Sequence, residues 1–453
     1  MKKANISRRS FLGKAATVGV AGIAVPSIIT SCARDSKSKK SVAAATWYDQ
    51  APDGPVLKAG LIGCGGRGTG AAVQFIKAGP NLQITALGDT FKDRLEQARD
   101  AIKKEGQTVP DEKCFVGFDA FQKVIDSGVD VVILATPPFF RPDHFAAAVA
   151  ARKHVFMEKP VCVDPVGARS VMATALKAKE LELSVVTGTQ RRHQRDYAAA
   201  RAKVLEGAIG DIVSAECYWN QSQLWYNEPR KEWSEMEYMI RDWVNWSWLS
   251  GDHIVEQHVH NIDVINWFTG SHPVKAVSFG SRQRRKTGDQ YDNFSTDFTF
   301  DNGMHLHSMC RQINGCENNV SEVIHGTEGW VFTNNQDHCE IYDKKGNIIW
   351  QFGEYVPDKD GKPTHNVKVN PYFQEHIDLV TSIRNNKPIN EAEDTAISTL
   401  TAVMGRISAY TGKMVTWDEM LNSDLKLGPK VFELGPVDVP KTIPVPGVDN
   451  VSK

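Results

Sequence analysis

Leu57-Lys58-Ala59-Gly60-Leu61-Ile62-Gly63-Cys64-Gly65-Gly66-Arg67-Gly68 is the stretch on which the architecture turns. A short aliphatic run gives way to glycines at Gly63, Gly65 and Gly68, just where a helical pattern opens. In that strand–turn–helix context the spacing is the fingerprint of a dinucleotide site. Glycine permits the tight turn, lets backbone approach a pyrophosphate and allows close helix–strand packing, and the helix N-terminus faces the anion. Gly66 and Arg67 lie in the same loop and join the candidate set. A second strand-like run ends at Asp89, about 20 residues on, where a ribose-binding carboxylate belongs. Such a carboxylate accepts from ribose hydroxyls and repels a 2′-phosphate; Thr90 and Phe91 follow it rather than an arginine. NAD is expected ahead of NADP, with Lys92 keeping the second open.

Around this motif, residues 56–187 alternate short apolar runs with helical segments. Leu57–Ile62, Leu82–Leu87, Val129–Ala135, His154–Met157 and Ser184–Thr187 read as strands. Gly68–Ala78, Phe91–Lys104, Ala120–Ser127, Asp143–Ala151 and Pro165–Leu181 read as helices. This βαβ alternation predicts an α/β fold whose N-terminal part is a Rossmann-type, doubly wound parallel sheet. After Gln190 the pattern changes. Strand-like runs at 212–220, 274–280, 294–300, 304–310, 320–325, 330–333 and 339–342 are joined by turns such as Asp301-Asn302-Gly303. They predict a C-terminal α+β domain with a large open antiparallel sheet, a helix-rich insert over 232–268, and closing helices over 371–384 and 392–410. The expected organisation is a signal over 1–32, a disordered tether over 33–54, a dinucleotide domain over 55–188, a substrate and oligomerisation domain over 189–428, and a Pro-rich tail over 429–453, extended or wrapped on a neighbour.

The N-terminus reads as an address rather than fold. Lys2, Lys3, Arg8 and Arg9 precede a Gly- and Ala-rich apolar stretch, and Ser7-Arg8-Arg9-Ser10-Phe11-Leu12 resembles a twin-arginine export signal. Ile29-Thr30-Ser31-Cys32 resembles a lipobox, so an exported, periplasmic or cell-envelope protein anchored through a lipid on Cys32 is expected. That anchor is the only membrane contact expected. With 53 Lys and Arg against 54 Asp and Glu, nothing suggests a nucleic-acid surface. The 8 cysteines show neither zinc spacing nor a pairing rhythm, so free thiols are expected.

Two further motifs bring a family into view. Ala135-Thr136-Pro137-Pro138 ends one strand and is followed by His144; Glu158-Lys159-Pro160 ends the next. With the glycine motif and the change to an antiparallel sheet, the chain from Val56 to about Leu425 resembles the Gfo/Idh/MocA oxidoreductases, of the glucose–fructose oxidoreductase and inositol dehydrogenase type. The resemblance implies a sugar or glycoside as substrate, oxidised at a hydroxyl by hydride transfer to a tightly held NAD, and a homo-oligomer built through the open sheet. It places Thr136, Pro137, His144, Glu158 and Lys159 at the cofactor. Lys159 would hydrogen-bond the reacting hydroxyl and stabilise developing negative charge. Glu256 and His260, four residues apart and so on one face of a continuous helix, would be the orienting acid and the general base. In inositol dehydrogenase-like members the acid is usually Asp, one methylene shorter than Glu256.

No metal is expected, because His258 and His260, two residues apart, would diverge on a helix. Trp219, Trp225, Trp233, Trp243, Trp246, Trp248 and Trp267 concentrate aromatic surface that suits pyranose C–H faces or a core. Trp219 and Trp243, with Arg192 and His193 after the last strand of the first domain, are the candidate substrate contacts. Two other readings stay open. One is the redox-neutral glycosidase reaction (oxidation, elimination, reduction) of some proteins on this fold; the other is a non-catalytic sugar-binding lipoprotein.

Overall fold

The computed structural model describes residues 47–334, 338–353, 355–357, 363–365 and 370–448. The expected signal over 1–32, Cys32 and the tether up to residue 46 lie outside the described residues. In the first half come β1 (Leu57–Ile62), α1 (Gly66–Lys77), β2 (Leu82–Asp89), α2 (Lys92–Lys104), β3 (Cys114–Val116) and α3 (Ala120–Ile125). They are followed by β4 (Val131–Leu134), α4 (Arg141–Ala150), β5 (His154–Met157), α5 (Pro165–Glu180) and β6 (Val185–Thr187). The six strands are parallel, in the order β3-β2-β1-β4-β5-β6. β4 is buried at every position, as a strand covered on both faces must be. β3, which the periodicity does not reveal, is three residues long and partly exposed. Because the winding reverses between β1 and β4, a crevice opens at their carboxyl ends, where such sheets bind ligands.

The second half begins with α6 (Arg195–Leu205), β7 (Ile212–Gln221), α7 (Glu235–Arg241), α8 (Ser247–Ser250), α9 (His253–Glu256) and α10 (Val259–Thr269). Strands follow: β8 (Lys275–Ser281), β9 (Asn293–Thr299), β10 (His305–Gln312), β11 (Asn319–Gly326), β12 (Gly329–Asn334), β13 (Cys339–Asp343), β14 (Ile348–Gln351), β15 (Tyr355–Pro357) and β16 (Pro363–His365). The chain closes with α11 (Pro371–Arg384), α12 (Ala392–Thr411), β17 (Val415–Thr416) and α13 (Trp417–Leu421). The large sheet has nine strands, β14-β13-β12-β11-β7-β10-β9-β8-β17. It is mixed rather than wholly antiparallel, because β7 and β10 run side by side in one direction. The insert, β8 and β9 between them supply the long crossover that a parallel pair needs. Inward residues such as Phe294 and Phe298 pack under α12, whereas Phe279 on the opposite face is 75% exposed. One hydrophobic core runs from Ile62 through Val155 to Phe298 and Met404, so both sheets share it.

Two expectations about the ends change. Within the expected tether, residues 47–54 are docked: Ala51 is buried and its N–H donates to Ala78 O at 2.7 Å. Arg195 bonds Tyr48 O at 3.0 Å and Asp49 at 2.9 Å, and Arg384 donates to the Pro52 and Pro55 carbonyls. Guanidinium groups far along the chain hold a segment whose own composition offers no reason to order. The tail, in turn, folds onto its own chain. Just before it, Leu427 N–H donates to Asp164 at 2.8 Å; within it, Val437 N–H donates to Glu235 at 2.7 Å, and Pro444 O accepts from Tyr291 Oη at 2.8 Å.

Candidate active site

The glycine turn is built as the sequence demands. Gly63 has φ +93°, and a Cβ there would lie 2.6 Å from the Ala135 carbonyl carbon; at Gly68 it would lie 1.9 Å from Gly63 O. Over Gly65 and Gly66 nothing comes within 4 Å. No side chain caps α1, so its first N–H groups face open space. Gly63, Gly65, Gly66, Arg67, Gly68, Asp89, Thr136, Pro137 and His144 line one cleft of about 560 Å³. Asp89 accepts from Cys64 N–H at 2.7 Å and from Phe91 N–H at 2.8 Å, pinning the turn between β1 and α1 to the end of β2. Burial raises its pKa against the pull of those donors. An uncapped helix end, an open glycine cradle and a rim carboxylate fit a dinucleotide.

Beside the cleft, Arg141 gathers the ends of β4 and β5. It donates to Thr136 O at 2.9 Å, Glu158 O at 3.0 Å and Pro160 O at 2.6 Å, fixing the backbone that carries Lys159. Lys159 Nζ donates to Glu256 O at 2.6 Å and to Glu256 Oε1 at 3.0 Å. His260 stacks on Trp219 with centroids 5.4 Å apart, and its Nδ1 finds no partner among the described residues. Its pKa lies well below the usual imidazole value through burial first, then the charges of Lys159, Arg191 and Arg67. Arg191, in the same short turn as Arg192 and His193, lies 5.3 Å over the Trp219 ring and forms a buried ion pair with Glu322. The structure thus assembles Lys159, Glu256, His260 and Trp219, but not through one helix. α9 ends at Glu256 and α10 starts at Val259, so the two residues sit on separate helices.

Other expectations are redirected. The Glu158 carboxylate does not line the cleft; it pairs with Arg67 Nε at 2.5 Å, and Arg67 also meets Glu375 at 3.5 Å and the Tyr372 ring at 4.9 Å. Arg192 is buried in a two-pronged pair with Asp263 at 2.8 and 2.9 Å. His193 is held by Asp378 at 2.7 Å and Glu391 at 3.1 Å. Both join secondary-structure elements through these acids, which already occupy their donors. Trp243 lines the nucleotide cleft, together with Trp225, Arg241 and Arg94. Arg94 is the third residue of α2, beyond the positions adjacent to Asp89. His253 pairs with Asp252 at 3.0 Å and His258 with Ser308 at 2.7 Å, so the three neighbouring histidines diverge.

Fold and cleft together define a two-domain dinucleotide-binding protein. The profile described as oxidoreductase family, NAD-binding Rossmann fold matches residues 57–187, and that of the GFO/IDH/MocA C-terminal domain matches residues 197–332. The chain belongs to the Gfo/Idh/MocA oxidoreductase family, and residues 57–187 are its NAD-binding domain. Scyllo-inositol 2-dehydrogenase (NAD(+)) of Bacillus subtilis is 23% identical over 309 residues, 67% of this chain and 80% of that protein. A glycosyl hydrolase family 109 protein of Solibacter usitatus is 34% identical over 250 residues, 52% of this chain and 51% of that protein, so the chain spans about half its length. The Lactobacillus casei scyllo-inositol dehydrogenase, solved with NAD(H) and scyllo-inositol, superposes with a TM-score of 0.59 at 21% identity, over 80% of this chain and 99% of that one; it shares the fold.

Proposed function

We propose that this chain oxidises a hydroxyl of a sugar or glycoside, using a tightly held NAD. The observation that carries the reading is Lys159 at the carboxyl end of β5, beside the glycine cleft, sharing its ammonium with Glu256 next to a neutral His260. An ammonium has three donors, and two are taken by Glu256, which leaves one for a substrate oxygen. That donor stabilises charge developing on the oxygen as its proton leaves, and buried, unprotonated His260 can receive that proton. Trp219, buried between His260 and Arg191, fixes the orientation of the imidazole. NAD, when bound, supplies the nicotinamide that accepts the hydride. The Bacillus subtilis relative, an NAD-dependent inositol dehydrogenase by name, supports a polyol or sugar substrate.

The likeness to glycosyl hydrolase family 109 favours a second reading, in which the same oxidation is followed by elimination and return of the hydride. A panel of sugars and glycosides added to the NAD-loaded protein tests both. A rise at 340 nm with one of them supports the dehydrogenase; free aglycone without net NADH supports the glycosidase; neither, with no NAD bound, refutes the enzyme reading. We further propose export through the twin-arginine pattern at Arg8-Arg9, anchoring at Cys32, and a homo-oligomer. The grounds are the sequence patterns and, for the last, the exposed apolar residues Val277 and Phe279 on the open sheet.

A further inference from the structure

The segment between β7 and α9 brings Trp225, Asn227, Ile240, Arg241 and Trp243 into the wall of the nucleotide cleft. Nothing in hydride transfer requires them. Trp225 and Trp243 form an edge-to-face pair with centroids 6.2 Å apart, and Trp225 is 47% exposed, an unusual setting for two indoles unless a flat ligand comes between them and the opposite wall. Arg241 of the same segment lies over the ring of Phe91, two residues after Asp89, and Phe91 and Arg94 line the same cleft, so the segment reaches its ribose-binding end.

The segment is also fastened to the nucleotide domain. Arg241 donates to both oxygens of Asp93 at 2.9 and 3.0 Å and lies 4.1 Å over the Phe91 ring. The tail secures it from behind: Met236 N–H donates to Gly435 O at 3.0 Å, and Lys441 meets Glu235 at 2.5 Å. Phe432 of the tail packs on Phe118 and Phe140, at 6.3 and 5.6 Å, and those two rings are themselves cleft walls.

We propose that this insert completes the nucleotide site. Trp243 and Trp225 cover the adenosine half of the dinucleotide, Arg94 and Phe91 face it, and the Arg241–Asp93 latch keeps it in place between turnovers. Indole and guanidinium planes both stack on purines, and a closed wall slows dissociation because the latch must open first. The inference rests on the NAD reading above and deepens it, by assigning an adenosine subsite to a segment outside the family's glycine motif.

The test uses the full chain loaded with NADH, with Trp243→Ala and Asp93→Asn as variants. Asp93 is half exposed, so its variant leaves the core untouched. Dissociation is followed by stopped flow during a chase with excess NAD, read as tryptophan-to-NADH energy transfer, and retained nucleotide is counted after desalting. Trp243→Ala should lower the energy transfer and speed release about tenfold; Asp93→Asn should speed release about threefold, as expected for a partly exposed ion pair. Wild-type release and energy transfer in both variants would overturn the inference while leaving the NAD reading standing. Failure of the unaltered chain to bind NADH would overturn the functional reading, and the inference with it.

Discussion

His144 offers a sharp test of the cleft's electrostatics. Its ring stacks on Phe121 at 4.2 Å, and Nδ1 lies 3.3 Å from Thr136 Oγ1. Burial, then the nearby Arg141 charge, lowers its pKa from 6.5 to about 3. The unfolded chain therefore takes up the proton first as the pH falls. The contribution of His144 to stability is full above its unfolded pKa of about 6.5 and is lost progressively on the way down to about 3. At pH 5 the loss is about 2 kcal/mol, from about 1.4 kcal/mol per pH step below 6.5. His144→Gln keeps a polar partner for Thr136 and does not titrate. Urea unfolding of both proteins at pH 7 and pH 5 gives the stability gap between them. That gap should move by about 2 kcal/mol in favour of the variant at pH 5. Groups common to both cancel in the subtraction, including His258, whose pKa is likewise lowered to about 3 by burial. A gap constant within about 0.5 kcal/mol would refute the reasoning, since a buried neutral imidazole cannot escape this linkage.

Three other outcomes are expected. Lys159→Met should reduce turnover of whichever sugar the panel identifies by about 10²–10³-fold, the usual effect of losing one donor to a developing oxyanion, with NADH binding retained by fluorescence titration; a loss under about tenfold would count against it. Gly68→Ala forces a Cβ toward Gly63 O at 1.9 Å, a backbone contact that only movement of the loop relieves; NADH affinity should fall about tenfold or more, by the same titration. Arg191→Met leaves Glu322 buried without its cation, though Tyr197, Thr333 and Asn261 still bond it. Stability should drop by about 3–5 kcal/mol in urea unfolding, and a drop below about 1 kcal/mol would show that those three bonds suffice.

Much of the nucleotide half was legible because its signals are local. Gly63 and Gly68 are needed where the main chain itself would collide with a Cβ, and Asp89 closes the same turn through two backbone N–H groups. A buried parallel strand must be apolar along its length, so β4 and β5 stand out, and the ends of those strands place Thr136 and Lys159 without further information. What the chain does with charge at a distance was not legible. Gln190 to His193 form one short turn, and whether Arg191, Arg192 or His193 faces the site depends on Glu322, Asp263, Asp378 and Glu391, up to about 200 residues away. The i,i+4 spacing of Glu256 and His260 suggested one helix, yet they lie on two helices either side of a break, and Lys159 reaches in to bond both the Glu256 carbonyl and its carboxylate.

The sequence by itself determined the dinucleotide turn, the parallel sheet beneath it and the lysine at its edge, because backbone sterics and burial on both faces act between near neighbours. Only the tertiary structure decided which tryptophans meet the nucleotide cleft, which arginines are spent on buried acids and where the tail lies. Those outcomes depend on pairing desolvated charges and apolar faces across long stretches of chain, which no local pattern records.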